Sequence, residues 1–291
     1  MKEVSCVLVT YNRKELLKES LDALFTQSVQ LSHIYIIDNN STDGTAQFLK
    51  TEIEGVHDNC VVKYLKENLG GAGGFEFGLK AAMKETKDQF FWIMDDDTIP
   101  SVNALEELLN ATNLLDNQFG FLCSNVHMEN GEVGNVPTPS TDWSDRSDEG
   151  LIKVESATFV SFFVNREMVN AYGVPIGKLF IWGDDTEFTR RLSLQKESYF
   201  VASSKVLHKA PLKSVSILND VDSKIERYFF SFRNGIYIKR KFDGKKSVFI
   251  KVIRNVLLSI KVLFTSKNHR IRRIKSIYKG TIAGLFFKED I

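Results

Sequence analysis

The sequence predicts an α/β fold in which a mostly parallel sheet is flanked by helices, with a helical appendage at the C-terminus. Two observations lead to this prediction. Apolar runs rich in β-branched residues alternate with helical patterns through the first third of the chain, and a basic, helix-compatible segment lies near its end. A chain of 291 residues is long enough for one α/β domain and an appendage. We therefore predict a main domain over residues 1–220 and a basic helical region over residues 221–291.

The first elements alternate between strand and helix. The run VSCVLVTY is short and apolar, which is typical of a strand buried on both faces, and KELLKESLDALFTQS after it places leucines at helical spacing. The alternation continues through the strand HIYIIDNNS, the helix DGTAQFLKTEI, the strand CVVKYL, the glycine-rich helix NLGGAGGFEFGLKAAMKE and the strand QFFWIMDDD. This alternation predicts parallel strands joined by helices.

The later part of the chain is less regular. From about Leu122 to Leu151 the sequence is polar and weakly periodic, so we predict a loop region there. Strand and helix patterns return in VESATFVSFFVN, REMVNAYG and KLFIWGDDTEFTRRLS. Two helix-compatible segments, SVFIKVIRNVLLSIKVLF and KNHRIRRIKSIYKG, follow near the C-terminus.

Composition and cysteine usage restrict the class of protein. Hydrophobic residues make up 43% of the chain and charged residues 26%, which is typical of a folded globular protein. Three widely spaced cysteines, never in a CxxC pair, argue against a disulfide framework and a thiolate zinc site. The first residues lack the apolar segment and cleavage site of a signal peptide. These features predict a cytoplasmic location.

The net charge of +1 hides a strongly basic segment. Between Lys239 and Lys279 there are 14 lysines and arginines and one acid, Asp243. Apolar residues between these charges favour a membrane surface or a partner helix over nucleic acid, and the charges recur too often for a transmembrane span. We predict peripheral contact with the inner face of the cell membrane and no nucleic-acid partner. Packing on the main domain and a homo-oligomer remain open alternatives.

Three adjacent acids, Asp95, Asp96 and Asp97, follow the apolar strand FFWIM. Adjacent carboxylates repel one another, so a hard divalent cation would stabilise them. A solvated acidic turn before the next helix explains the cluster equally well. His208, in KVLHKAP, is a candidate third ligand, although a lone histidine is more often structural.

Four polar segments each follow a predicted strand: Thr10–Arg13, Asp38–Ser41, Asn68–Gly74 and Asp95–Asp97. Ligands of open α/β sheets bind at the carboxyl ends of the strands, so we expect these segments to meet in one crevice. The glycines would let the backbone approach a diphosphate, and tight packing explains them as well. A dinucleotide fingerprint is not matched, because Glu76 stands where its third glycine belongs.

A second acidic cluster, Asp184, Asp185 and Glu187, lies in WGDDTEF. An apolar setting, here provided by Phe180 and Trp182, raises the pKa of a carboxylate toward the range of a general base. A helix N-terminal cap explains the same acids, and the two explanations are compatible.

The motifs together resemble the inverting glycosyltransferases of family 2, which have a GT-A (Rossmann-like) fold. They are VTYNR, IIDNNSTDGT, the glycine-rich loop, MDDDT, WGDDTEF and LHKAP, in that order from about Val4 to Pro211. NLGGAGGF, the triple Asp, WGDD and RYFFSFRNG resemble the galactofuranosyltransferase and rhamnosyltransferase branch. The resemblance implies UDP-galactofuranose as donor, with dTDP-rhamnose second, and as acceptor a hydroxyl of a growing cell-surface polysaccharide or lipid-linked glycan. A non-catalytic carbohydrate-binding relative is the alternative.

The resemblance also implies a role for each group of site residues. Donor contacts are expected from Thr10, Tyr11, Arg13, Asp38, Asn68, Gly71, Gly73, Asp95 and Asp96. Mn²⁺ or Mg²⁺ is expected to bind Asp95, Asp97 and His208. The expected base is Asp185, and the expected acceptor contacts are Trp182, Asp184 and Glu187. Because Gly183 separates Trp182 from the acids, the register of Asp184 against Asp185 remains open.

Overall fold

The computed structural model describes residues 2–209 and 216–289, which form two compact units. The first unit contains residues 2–177 and 188–209, and the second contains residues 178–187 and 216–289. The domain boundary predicted after residue 220 stays a prediction.

Within the described residues, ten strands form one sheet in the first unit. They are β1 (Val4–Thr10), β2 (His33–Asp38), β3 (Cys60–Tyr64), β4 (Phe90–Asp95), β5 (Thr98–Pro100), β6 (Leu122–Met128), β7 (Thr138–Pro139), β8 (Leu151–Ser156), β9 (Phe162–Asn165) and β10 (Tyr199–His208). The strand order is β3-β2-β1-β4-β9-β6-β10-β8-β7, and β5 pairs with β10.

The α-helices of the described chain are α1 (Lys14–Phe25), α2 (Thr45–Phe48), α3 (Gly70–Glu85), α4 (Ala104–Leu114), α5 (Arg166–Tyr172), α6 (Asp184–Ser193), α7 (Tyr228–Ile238), α8 (Gly244–Thr265) and α9 (Arg270–Phe286). A π-helical segment, Leu49–Ile53, extends α2. Among the helices of these ranges, none is both long and apolar enough to cross a bilayer.

The pairing of the strands confirms the predicted α/β class, a mostly parallel sheet flanked by helices with a C-terminal helical region. Strands β3, β2, β1 and β4 are mutually parallel, and β10 is parallel to β6. Antiparallel pairing enters through β9, which joins β4 to β6, and through β5, β7 and β8 at the far side. The chain order changes direction between β1 and β4, so this is the point where a ligand crevice is expected.

The loop predicted from Leu122 to Leu151 is wrong at its start, where β6 forms. Polar residues interrupt the apolar run of this strand, which weakened its signal. Ser124 is nevertheless buried, because its hydroxyl bonds the hydroxyls of Ser161 and Ser204 at 2.7 and 2.8 Å. Partners elsewhere in the chain therefore make a polar strand residue acceptable inside the sheet.

Two hydrophobic layers cover the faces of the sheet. On one face, Leu17 and Leu21 of α1 and Leu105 of α4 belong to one buried cluster with alternate residues of β1. On the other face, Phe75 and Leu79 of α3 pack over the residues between them. Because both faces of β1 are buried, its apolar run is continuous, as the sequence predicted.

The second unit is built from α7, α8 and α9 around a small core that includes Phe232, Val262 and Ile277. Helix α9 packs closely on α7, because a Cβ atom added at Gly280 would lie 2.5 Å from the carbonyl oxygen of Phe229. Arg273 of α9 is buried and donates to backbone carbonyl oxygens, including that of Asp220 at 2.8 Å. The predicted C-terminal helices are thus present.

Candidate active site

The carboxyl ends of β1 and β4 lie side by side and are joined by side chains. Thr10, the last residue of β1, donates its hydroxyl to Oδ2 of Asp96 at 2.7 Å. Arg13 donates from Nη1 to Oδ1 of Asp96 at 3.2 Å and also pairs with Asp97. Two of the predicted polar segments therefore meet at the expected crevice position.

Asp96 organises this junction. Its carboxylate is buried and accepts from Thr10, Arg13 and, at 3.4 Å, the amide nitrogen of Tyr11. Burial raises the pKa of Asp96 to about 6, although Arg13 and Thr10 oppose the shift. Because both oxygens are already bonded within the protein, Asp96 orients the segment after β1. Its predicted contact with the donor stays a prediction.

Asp95, Asp97 and His208 form a cluster whose ligand atoms lie within 4.8 Å of one another. Burial and the neighbouring acids Asp97 and Asp96 raise the pKa of Asp95. Burial also opposes ionisation of Asp97, but the adjacent His208 and Arg13 outweigh it and lower the pKa of that carboxyl. Repulsion between close, buried carboxylates is the condition that a bound cation relieves.

His208 is brought to the acids by pairing between strands. His208 of β10 lies opposite Thr98 of β5, and the amide of Lys209 donates to the carbonyl oxygen of Asp97 at 2.9 Å. Nε2 of His208 then lies 3.2 Å from Oδ1 of Asp97. That oxygen is buried and has no hydrogen-bond partner among the described residues. A buried carboxylate oxygen without a hydrogen-bond partner, close to an imidazole nitrogen, is the arrangement expected of two ligands of one metal ion.

Asn135 supports His208 from the other side, and sequence reasoning missed it. Oδ1 of Asn135 lies 2.8 Å from Nδ1 of His208. A proton on Nδ1 that is donated to this oxygen leaves the lone pair of Nε2 directed at the acids. Asn135 belongs to the polar stretch between β6 and β7, where no local pattern distinguishes it from its neighbours. Ala210 and Pro211 of the LHKAP motif lie outside the described residues.

The glycine-rich segment is tied to the end of β2 by Asn39, which sequence analysis did not single out. Nδ2 of Asn39 donates to the carbonyl oxygen of Gly70 at 2.9 Å, and its Oδ1 accepts from the amide of Leu69 at 2.9 Å. Asn68 turns the segment by accepting from the amide of Gly70 at 2.8 Å. Next to Asn39, the buried Asp38 pairs in register with Thr10. Three of the four predicted segments therefore meet through β1 and β2.

The glycines of α3 divide into two kinds. A Cβ atom at Gly73 would lie 2.5 Å from Cβ of Leu69, and one at Gly74 would lie 2.5 Å from Cγ1 of Val9. These two glycines permit close packing, which is the structural alternative that the sequence left open. A Cβ atom at Gly71 would meet nothing within 4 Å, so space remains above this residue.

The WGDD segment belongs to the second unit and has an unusual backbone. Phe180, Trp182 and Gly183 have positive φ angles of 65°, 62° and 101°. Nδ2 of Asn234 donates to the carbonyl oxygens of Ile181 at 3.0 Å and Trp182 at 2.8 Å, and also reaches that of Leu179. Such conformations persist only when their surroundings hold them. Asn234, in the RNG of RYFFSFRNG, is thus a second residue whose role sequence reasoning missed.

Two acids follow this backbone at the start of α6. Burial raises the pKa of Asp184, and the adjacent Asp185 adds to the shift. Burial also raises the pKa of Asp185, although the amide and hydroxyl of Thr186 oppose it. Raised pKa values are a property of carboxylates that act as proton acceptors near neutral pH. Both acids therefore have the electrostatic character expected of a base.

Glu187 has a structural partner. It is fully buried, and its Oε1 accepts from Nζ of Lys241 at 2.9 Å. Lys241 also pairs with Glu289 at 2.7 Å. The ion pair explains why a carboxylate is tolerated there. The acceptor contacts predicted for Glu187, Asp184 and Trp182 stay predictions, and the Trp182 ring lies against Tyr228 with centroids 5.2 Å apart.

Three features are typical of the GT-A class of glycosyltransferase folds: the strand order, the acid cluster after β4, and His208, which β10 places beside that cluster. Residues 5–173 match the family described as "Glycosyl transferase family 2". The chain belongs to glycosyl transferase family 2.

Curated relatives carry the name galactofuranosyltransferase GlfT1. The protein of that name from Mycolicibacterium smegmatis is 30% identical over 202 residues, which is 65% of this chain and 65% of the relative. One from Mycobacterium tuberculosis (strain ATCC 25618 / H37Rv) is 29% identical over 209 residues, covering 66% of this chain and 64% of the relative. The match thus spans slightly less than two thirds of each relative.

Solved structures support the fold. GalNAc-T7, crystallised with UDP, GalNAc and Mn²⁺, superimposes with a TM-score of 0.62 at 13% identity, over 89% of this chain and 58% of that one. TarS from S. aureus superimposes with a TM-score of 0.56 at 15% identity, over 98% of this chain and 43% of that one. At these identities the similarity concerns the fold alone.

Proposed function

We propose that this protein is a metal-dependent, inverting glycosyltransferase that transfers galactofuranose from UDP-galactofuranose to a hydroxyl of a growing cell-surface polysaccharide or lipid-linked glycan. The observation that carries the proposal is the cluster of Asp95, Asp97 and His208 at the carboxyl end of β4, beside Thr10. Membership of glycosyl transferase family 2 supports the reaction class.

Asp95, Asp97 and His208 would hold the metal. Carboxylate oxygens suit both Mn²⁺ and Mg²⁺, and the imidazole nitrogen favours Mn²⁺ because Mg²⁺ prefers oxygen ligands. When bound, the cation would stabilise the negative charge that develops on the leaving nucleoside diphosphate. The Mn²⁺ in the GalNAc-T7 structure supports a divalent ion in this fold.

Residues around the cluster would bind the nucleotide. The Arg13 side chain is 46% exposed although it pairs with Asp96 and Asp97, so part of its positive charge is available to a diphosphate. Gly71 leaves open space for the ligand to approach the backbone. The remaining proposed donor contacts are Thr10, Tyr11, Asp38, Asn68, Gly73, Asp95 and Asp96.

Asp185 is the proposed base. The acceptor hydroxyl loses its proton to Asp185 while its oxygen forms a bond to the anomeric carbon, and the bond to the nucleoside diphosphate breaks on the opposite face. Inversion of the anomeric configuration follows from this single displacement. The raised pKa of Asp185 supports the assignment, and Asp184 is the competing candidate because its pKa is raised as well.

The donor proposal is supported by the relatives named galactofuranosyltransferase, with dTDP-rhamnose as the second candidate. A donor screen that measures nucleotide release from UDP-, dTDP- and GDP-sugars with Mn²⁺ tests it. We expect UDP-galactofuranose to give the fastest release, and an inverted product by NMR. Fastest release from dTDP-rhamnose would replace the donor, and no release from any donor would support the non-catalytic, carbohydrate-binding alternative.

The proposed lipid-linked acceptor would place the enzyme at a membrane surface. Basic residues of the C-terminal helices support this placement, because an anionic leaflet attracts them. We therefore propose peripheral contact with the membrane.

A further inference from the structure

Helices α8 and α9 bury polar side chains between them and expose apolar ones. Asn255 and Ser259 of α8 are buried, and they bond Thr281 and Tyr278 of α9 at 2.8 and 3.2 Å. The remaining side of α8 carries apolar residues that are each at least 37% exposed, here called the outer stripe: Phe249, Ile250, Ile253, Val256, Leu257, Ile260, Leu263 and Phe264. Val262 of α8 faces the small core of the second unit, but most apolar residues of this helix face outward, whereas the apolar stripe of an ordinary surface helix faces the core.

The outer stripe is continuous. At about 100° per residue, its positions fill an arc of about 140° around the helix axis. Within that arc the only other residues of α8 are Lys245 and Lys246, both in the first turn. An apolar face of this width and length is larger than the scattered exposed residues of a typical protein surface, so it indicates a binding surface.

The charges around the stripe identify its partner. Helices α8 and α9 contain no acidic residue. By the same angular spacing, Arg254 and Lys261 lie along one border of the stripe. Long basic side chains beside an apolar face reach the phosphates of anionic lipids while the face enters the boundary between headgroups and acyl chains.

We infer that the outer stripe of α8 docks on an anionic membrane. A second copy of the chain would also cover an apolar face. Two copies that met through antiparallel α8 helices would, however, bring Arg254 and Lys261 of each copy close to the same residues of the other, with no acid in the helix to neutralise them. The inference deepens the proposed membrane contact and rests on it. The test of this inference measures lipid binding. A failure of the inference can therefore be distinguished from a failure of the proposed transfer reaction.

Co-sedimentation of the full chain with vesicles tests the inference. Wild-type protein should bind vesicles of phosphatidylcholine and phosphatidylglycerol, less so at high salt, and should not bind vesicles of phosphatidylcholine alone. Leu257→Gln/Phe264→Gln should lower binding by at least about tenfold, because two large apolar side chains are lost from the stripe. The matched control is Leu114→Gln/Leu194→Gln, which changes leucines of the first unit that are 50% and 67% exposed; it should bind like the wild type.

Two results would overturn the inference. One is vesicle binding that is equal for the stripe variant and the control, or absent for the wild type. The other is a wild-type dimer in light scattering that becomes a monomer in Leu257→Gln/Phe264→Gln, which would assign the stripe to a second copy. Nucleotide release should be the same for the wild type, the stripe variant and the control. Equal release would show that both variants are folded and that a loss of vesicle binding is not a loss of catalysis.

Discussion

Nε2 of His208 lies 3.2 Å from Oδ1 of Asp97, although the two residues are far apart in the sequence. Backbone pairing fixes this proximity, because His208 lies opposite Thr98 in the β5–β10 pair. The side chains at this position are therefore held by the sheet rather than by each other. Substitutions of His208 or Asp97 should change metal binding with little change in fold.

Asn135→Ala should weaken Mn²⁺ binding in the presence of UDP. Loss of the partner of Nδ1 frees the His208 ring to turn, and loss of such an outer partner typically costs about 10- to 100-fold in metal affinity. Isothermal titration of Mn²⁺ measures the effect. Asn130→Ala, in the same polar stretch but bonded only locally to the amide of Glu132, is the control. Equal affinities for the two variants would remove Asn135 from the site.

Asn234→Ala should lower kcat while UDP binding is retained. Asn234 acts as a positioning residue, because it holds the backbone of Ile181 and Trp182 just before the acids. Removal of the amide leaves buried carbonyl oxygens without a donor, which costs about 1–3 kcal/mol of stability.

Asn255→Ala is the matched control for Asn234, since it removes another buried amide of the second unit, the donor to Thr281. We expect a comparable fall in Tm and an unchanged kcat per folded molecule. If kcat falls equally in both variants, loss of stability alone accounts for the effect of Asn234.

The rate of transfer should rise with pH through an apparent pKa above the usual aspartate value of 3.8. Burial raises the pKa of Asp185, and a base must lose its proton before it can accept one. Activity is therefore low below the raised pKa and reaches a plateau above it. Asp185→Asn should abolish nearly all turnover, whereas Asp184→Asn should retain turnover and the rising limb. The reverse ranking of kcat would assign the base to Asp184.

Gly71→Ala and Gly74→Ala should affect different properties. A methyl group at Gly74 would meet Cγ1 of Val9, so we expect a loss of about 1–3 kcal/mol in the free energy of unfolding. A methyl group at Gly71 meets no protein atom, so Tm should hold while UDP binding weakens. Thermal melts and UDP titrations of both variants test this. A larger loss of Tm in Gly71→Ala would contradict the division of the glycines.

Sequence patterns were sufficient to predict the elements whose structure depends on local residues. The apolar run of β1 and the helical spacing in α1 depend on local residues, and Asp95 and Asp97 follow a strand that is readily recognised. Because strands β1 to β4 were predicted to be parallel, their carboxyl ends could be placed at one edge of the sheet.

Contacts between distant residues could not be predicted in this way. Asn135 and Asn234 acquire their roles only when other segments bring His208 and Trp182 to them. Lys241 likewise neutralises Glu187, a residue for which the motif suggested a helix N-terminal cap or an acceptor contact. An isolated polar residue of this kind leaves no periodic signal in the sequence. Its partner is known only from the folded structure, so nothing distinguishes it beforehand from other polar residues in a loop or helix.

The most direct test of the central claim is transfer from UDP-galactofuranose, measured as UDP release, during titration of the chelated enzyme with Mn²⁺. Wild-type protein should be inactive in excess chelator and regain activity as Mn²⁺ is added. Asp97→Asn should stay inactive over the same range, because it removes charge from the ligand set. The control is Asp88→Asn, since Asp88 is a buried acid near the opposite end of β4, bonded to Ser5 at 2.6 Å, and this variant should respond like the wild type. Full activity in saturating chelator, or an Asp97→Asn enzyme that responds to Mn²⁺ like the control, would contradict the metal-dependent mechanism.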